Sequence, residues 1–215
     1  MKRTEVKAMR RRAARLLDRA GIALRREEKA AIEVSDFGLG DVERLGLLVV
    51  TYENNDRYCA KEIVLLPRQL CPEHRHPLVN ETNPGKRETF RCRWGTVYLY
   101  VAGGPTPKPK AKVPAEYAHY LTVRHEIILR PGDQYTLAPE SLHWFQAGDR
   151  GGIFAEGADV DDRVARVVVD VDDRVEVDVD ANGAGLGGRD HACTEGHLLV
   201  ARGADRHGAR QARGA

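Results

Sequence analysis

The segment CPEHRHPLVNETNPGKRETFRCRWGTVYLYV, residues 71–101, concentrates groups that hold metals and move protons. His74 and His76 stand one residue apart, Glu81 and Glu88 follow, and Lys86 lies between the two glutamates. Imidazole nitrogens and carboxylate oxygens together suit a borderline-hard divalent ion such as Mn, Fe, Co, Ni or Zn. Residues i and i+2 of an extended chain share a face, so His74 and His76 reach one ion if their segment is a strand. A third donor must come from elsewhere. The stretch RPGDQYTLAPESLHWFQAG (130–148) offers His143 behind a proline turn, with Trp144 and Phe145 after it to wall off water. The residues alone leave open which glutamate completes the set. His119, His125, His191, His197 and His207 read as ordinary polar residues.

These groups need a scaffold, and the rest of the chain describes one. At 215 residues, 42% hydrophobic and 31% charged, the chain is long enough for one domain with a real core, with or without appendages. A net charge of +2 gives no global pull toward nucleic acid or membrane. Residues 1–30 are basic, with eleven Lys/Arg against four Asp/Glu. The acids argue against a transit peptide. Met9, Ala13, Leu16, Leu17 and Ala20 recur on one helical face, which predicts an amphipathic N-terminal helix. No apolar run approaches the roughly 20 residues of a membrane span. Cys59, Cys71, Cys92 and Cys193 form no CxxC pair and read as reduced thiols of a cytoplasmic protein.

Beyond the helix, strand-like runs are expected at 45–52, 59–66, 89–93, 96–101, 120–129, 133–137, 143–147 and 152–156. Turn signals separate them: DFGLG, ENNDR, NPGK, WG, RPGD, APES and GDRGG. Many short, regularly punctuated strands predict a sandwich or small barrel. The Pro/Lys-rich stretch 103–117 reads as an exposed loop. VARVVVDVDDRVEVDVD (164–180) alternates valine with charge, which fits a strand pair or mere compositional bias. From Ala181 onward, Gly and Ala supply sixteen of thirty-five residues, too little apolar surface to offset ordering entropy.

The spacing of the metal-type residues resembles the cupin superfamily, whose first motif is G-x5-H-x-H-x3–4-E-x6-G and whose second is G-x5-P-x-G-x2-H-x3-N. His74-x-His76 matches the histidine pair, Glu88-x6-Gly95 the end of the first motif, and Gly132 lies eleven before His143 as the second requires. Pro139 comes one place late, Ser141 stands near the motif glycine, Ala147 replaces the asparagine, and no glycine precedes His74 at the usual distance. Glu81 has the motif's distance from His76 and Glu88 its distance to Gly95. Glu88 is preferred because ETFRCRW is strand-like and fixes a side chain's direction, whereas Glu81 sits in the turn-prone NETNPG.

A narrower resemblance covers roughly residues 1–157. SDFGLGD, CPEHRHP, NPGK and KRETFRCRWGTVYLYV together are similar to the D-lyxose isomerase family of cupins. The resemblance implies a mainly β double-stranded β-helix (jelly-roll) barrel with an N-terminal helix. The chain then divides into a helical segment at 1–30, the catalytic barrel at 31–160 and, beyond the resemblance, an atypical tail at 161–215 that its composition marks as poorly ordered. The resemblance implies metal ligands His74, His76, Glu88 and His143, with Lys86 shared as a catalytic and substrate-binding residue. The metal would be a divalent ion, Mn2+ first, with Zn2+, Co2+, Fe2+ or Ni2+ as alternatives. The substrate would be a free monosaccharide, D-lyxose or D-mannose, isomerised by proton transfer between C1 and C2. A cytoplasmic homodimer, with neither nucleic acid nor membrane as partner, completes the expectation.

Lys86 then has three open roles: hydrogen-bond donor, electrostatic stabiliser or base. Glu81 and Glu156 are weaker candidates for a second carboxylate. Of the aromatics Phe90, Trp94, Tyr98, Tyr100, Trp144 and Phe145, the pair following His143 is the one expected to line a sugar site. Two alternatives stand beside the isomerase: an Fe(II) dioxygenase, and a non-catalytic sugar-binding cupin disabled by its tail. Past residue 157 the resemblance fades, and the Gly/Ala/Arg/Asp/Val bias is what a GC-rich coding sequence gives in a shifted frame.

Overall fold

The structure is a computed structural model. It describes residues 1–55, 57–78 and 85–158, together with the backbone of 165–168 and 176–179. Helix α1 (Arg3–Arg19) is followed by the short α2 (Arg26–Ala31). Ten strands follow among the described residues: β1 (Glu33–Ser35), β2 (Leu47–Asn54), β3 (Cys59–Leu65), β4 (Leu70–Arg75), β5 (Glu88–Val101), β6 (His125–Leu129), β7 (Gln134–Leu137), β8 (His143–Ala158), β9 (Ala165–Val168) and β10 (Glu176–Val179). A 3-10 turn at Ala115–Tyr120 precedes β6.

Among the described residues the strands pair antiparallel, and two long strands organise them. The start of β8 runs beside β4 and its end beside β3, while β5 pairs along nearly its whole length. On the other side of β5, its beginning pairs with β7 and its end with β6. This shared use of two long strands rolls the sheet into the double-stranded β-helix of a jelly-roll barrel. The 164–180 region forms a strand pair in part, since β9 pairs with β10 and also with β4 at His74 and Arg75. The remaining residues beyond 158, including Cys193 and most of the expected 161–215 tail, lie outside the described residues.

Alternation along the strands separates two apolar faces. Val49, Ile63, Leu65, Phe90, Cys92, Leu99, Phe145 and Phe154 fill the barrel interior. Leu48, Val50, Val64, Leu66 and Ile153 point outward, where Met9, Ala13, Leu16 and Leu17 of α1 cover them. The amphipathic face expected of the N-terminus is therefore the face that packs on the barrel. Glu5 at N3 accepts from the Lys2 backbone N–H at 3.3 Å and opens the helix.

Several expected breaks are not breaks. WG lies inside β5, where Gly95 has φ +73 and a Cβ would sit 2.2 Å from the Gly151 carbonyl oxygen. Only glycine allows that backbone conformation and that approach. GDRGG is a wide bulge in β8: Ala147 pairs with Val97 and Gly152 with Gly95, so residues 148–151 oppose Thr96 alone. The expected strand over 120–129 starts only at His125, because the Glu73 carboxylate takes the backbone N–H groups of Thr122 and Val123 at 2.8 and 2.9 Å. A side chain supplies what a strand neighbour otherwise would. Strand β4, which carries His74, was not among the expected runs, since its CPEHR sequence has no strand-like apolar alternation.

Candidate active site

Each expected metal-type residue sits at a strand end, where the rigid sheet fixes its Cα while the side chain reaches the barrel mouth. His74 is the next-to-last residue of β4 and His76 follows its end; Glu88 opens β5 and His143 opens β8. Strand pairing brings them together, with His74 directly opposite His143. Ligand nitrogens of His74, His76 and His143 all lie within 4.8 Å of one another. Glu88 joins them, its Oε1 3.1 Å from His76 Nε2 and its Oε2 3.4 Å from His143 Nε2.

Backbone carbonyls orient two of the rings. His74 Nδ1 lies 2.8 Å from the Pro72 oxygen and His143 Nδ1 lies 2.9 Å from the Ser141 oxygen. A carbonyl only accepts, so Nδ1 carries the hydrogen in each ring and Nε2 keeps its lone pair. His143 Nε2 is buried and makes no hydrogen bond among the described residues. Burial, reinforced by the neighbouring imidazoles, holds His74 well below the ordinary histidine range; burial also lowers His143, against the pull of Glu88. Neutral imidazoles with outward-held Nδ1 hydrogens and a carboxylate beside them fit a divalent cation. His74, His76, Glu88 and His143 are the residues that would hold it.

Lys86 enters from the segment just before β5. Gly85, at φ +92, lets this segment pass close to the His76–Pro77 backbone; a Cβ there would sit 2.6 Å from the Pro77 oxygen. Lys86 Nζ then lies 2.9 Å from Glu88 Oε1 and also donates to Glu156 Oε1. Lys86, Glu88 and Glu156 are all at most 7% exposed, so water screens these charges little. Burial alone would favour a neutral amine, but Glu156 and Glu88 outweigh it and raise the Lys86 pKa. Burial likewise works against an ionised Glu88, yet His76 and Lys86 hold its carboxyl well below the ordinary range.

The two aromatics after His143 part company, as alternation requires. Phe145 points inward beneath the site, its ring 6.2 Å from that of His74 and packed with Phe90 and Phe154. Trp144 points to the opposite face and is no part of this site, contrary to the expectation that it lines the sugar pocket. Its indole donates to the Val123 oxygen at 2.9 Å and stacks on Tyr100 at 3.8 Å, beside a separate cavity of about 370 Å³. Glu81 lies outside the described residues, as do His191, His197 and His207.

Glu156 is better placed than its sequence context suggested, and Lys61 was not singled out at all. On an unbroken strand, Glu156 would face away from His143, since the two are an odd number of residues apart. The bulge in β8 places four residues against one of β5 and reverses the alternation, which returns Phe154 and Glu156 to the interior. No sequence signal gives the length of such a bulge.

No family model matches the chain. Curated relatives do. One is the D-lyxose ketol-isomerase of Thermofilum sp. (strain ex4484_79), 60% identical over 151 residues, which are 70% of this chain and 83% of that protein. Another is the D-lyxose/D-mannose isomerase of Thermosediminibacter oceani, 55% identical over 156 residues, 73% of this chain and 86% of that one. Among solved structures, the L-ribose isomerase of Cellulomonas parahominis with L-ribose aligns at a TM-score of 0.62 and 15% identity, over 76% of this chain and 85% of that one. That likeness is one of fold. Barrel and relatives together define a sugar ketol-isomerase built on a double-stranded β-helix. Within that class, the chain belongs to the D-lyxose ketol-isomerase family.

Proposed function

We propose that this chain is a divalent-metal-dependent aldose–ketose isomerase acting on D-lyxose, to give D-xylulose, and on D-mannose, to give D-fructose. His74, His76, Glu88 and His143 hold the ion. The observation that carries the mechanism is the buried Lys86 ammonium bridging the ligand carboxylate Glu88 and the second carboxylate Glu156. The sugars are those named for the two curated relatives.

Isomerisation takes a proton from C2 of the open-chain aldose and returns one to C1. Negative charge builds on the substrate oxygens between these events. When bound, the ion supplies Lewis-acid polarisation of the carbonyl and a counter-charge for that oxygen charge. The protein must supply an acceptor for the proton. Lys86, paired with two carboxylates, is held as a donor and serves as an electrostatic stabiliser, not as the base. Glu156 faces the interior beside it and is the acceptor. Phe145, Phe90 and Phe154 form an apolar floor that keeps water from the site's underside. A proton-moving carboxylate tied to a ligand through lysine favours isomerisation over the dioxygenase alternative, which needs an open position for O2 and no such relay.

The reading is completed by Mn2+ as the metal, a homodimer formed through the sheets, and a cytoplasmic setting in which Cys59, Cys71 and Cys92 stay reduced, without disulfides. Among the described residues no helix is long and apolar enough to cross a membrane. The test is turnover by purified, metal-stripped protein before and after Mn2+ is restored, with D-lyxose and D-mannose assayed side by side. Restored conversion of both sugars, absent in Glu88→Ala, is expected. Full turnover by the stripped protein would overturn metal dependence.

A further inference from the structure

A lysine inside a β-barrel needs a reason, because its ammonium ordinarily stays in water at the end of a long stem. Lys61 is only 6% exposed, although it lies in mid-strand on β3. Its direction follows from its neighbours. Ile63, two residues along, belongs to the interior core, whereas Glu62 points outward and pairs with Arg93 at 2.8 Å. Lys61 therefore faces the same interior as the histidines.

Register supplies what it faces. In the β3–β8 pair, Lys61 is directly opposite Glu156, and Ile63 is opposite Phe154. Directly opposed residues of an antiparallel pair carry their side chains on one face, with Cβ atoms about 5 Å apart. The other neighbour of β8 is β5, where Phe90 stands opposite Glu156 two residues beyond Glu88. Glu156 thus has Lys61 on its β3 side and Lys86, which donates to it, on the side of the metal ligands. Cys59 corroborates the grouping: its thiol, pushed up by burial, feels Lys61, Lys86 and Glu156 together.

We propose that Lys61 is a positioning residue for the isomerisation, acting through Glu156: with Lys86 it forms a two-lysine cradle that holds the Glu156 carboxylate in line with the substrate C1–C2 edge. The inference rests on the reading of Glu156 as proton acceptor. One lysine anchors a carboxylate but leaves it free to rotate about that contact. A second cation from the opposite strand removes the rotation. Misplacing a reacting group by about 1 Å can cost on the order of 100-fold in rate, so the cradle acts on turnover while contributing little to sugar binding.

The test is a double-mutant cycle on the Mn2+-loaded full chain, combining Lys61→Met with Glu156→Gln. The readouts are kcat, KM for D-lyxose, bound Mn2+ per chain and solvent deuterium incorporated at the product's C1. Lys61→Met is expected to lower kcat by about 10- to 100-fold, with KM within about twofold, metal content unchanged, and most activity returned by Lys61→Arg. In the Glu156→Gln background it should cost little more, because the two residues act as a unit. A loss carried by KM would make Lys61 a substrate contact and overturn the proposal, as would multiplicative losses or loss of Mn2+. Normal kcat in Glu156→Gln would instead sink the proton-acceptor reading itself. Should Lys61→Met not fold, Lys61→Gln carries the same cycle.

Discussion

At the residue scale, two carboxylates share one ammonium and differ in what else they meet. Glu88 touches two imidazoles and Lys86, whereas Glu156 touches Lys86 and lies opposite Lys61. Substitutions should therefore separate metal loading from proton transfer. Glu88→Gln removes a ligand charge and is expected to lower Mn2+ occupancy and activity together, by metal analysis and turnover. Glu156→Gln should keep the metal and lower kcat by about 10²–10⁴-fold, the usual contribution of a positioned acid–base group. Equal metal loss in both variants would contradict the division of roles. The grouping of His74, His76, Glu88 and His143 was legible in the sequence because His-x-His and the spacing of Glu88 to Gly95 are local. Trp144 was misassigned because adjacency to a ligand on a strand places a side chain on the opposite face. Glu156 stayed in the background because its direction depends on a bulge whose length the sequence does not state.

At the element scale, the bulges set which residues meet. Along β5, Glu88, Phe90 and Cys92 face inward, and so do Val97, Leu99 and Val101, an offset that alternation alone forbids. Register shifts at 92–94 and 95–97 absorb the difference, and Gly95 is the residue whose backbone permits the second. The sequence showed the glycine and suggested a turn; the ladder on both sides, which only β8 supplies, makes it a bend within one strand. Gly95→Ala is expected to destabilise the barrel because its Cβ meets the Gly151 backbone at 2.2 Å and cannot be accommodated by moving a flexible side chain. Thermal melts should show a lower Tm, with activity per folded, metal-loaded molecule reduced because the same bulge sets the direction of β8. An unchanged Tm would show that the bulge relaxes without cost. Helix α1 was easier to read, since its apolar period is local and its buried face, Met9, Ala13, Leu16 and Leu17, is the face the period marks.

At the scale of the whole molecule, the proposed metal would tie together strands far apart in sequence. The proposed ligands come from β4 with the residue after it, from β5 and from β8, the strands whose pairing closes the barrel around the site. Without an ion, three buried imidazoles and a carboxylate must satisfy one another, and His143 Nε2 makes no hydrogen bond among the described residues. An ion that binds the folded site and not the open chain stabilises the fold by mass action, by about 2.7 kcal/mol at a free concentration 100 times its Kd. Chelation should therefore lower the Tm of the whole barrel in a single cooperative step, and Mn2+ should raise it in a concentration-dependent way. His143→Ala should melt near the chelated protein and lose the response to Mn2+. Leu17→Ala, in the buried face of α1 on the outer side of the sheet, should lower stability by about 2–5 kcal/mol while keeping the full Mn2+ response. If Leu17→Ala abolished that response as well, the helix-packed face and the metal site would not be separable, and the ion would be acting through the fold at large instead of through its four ligands.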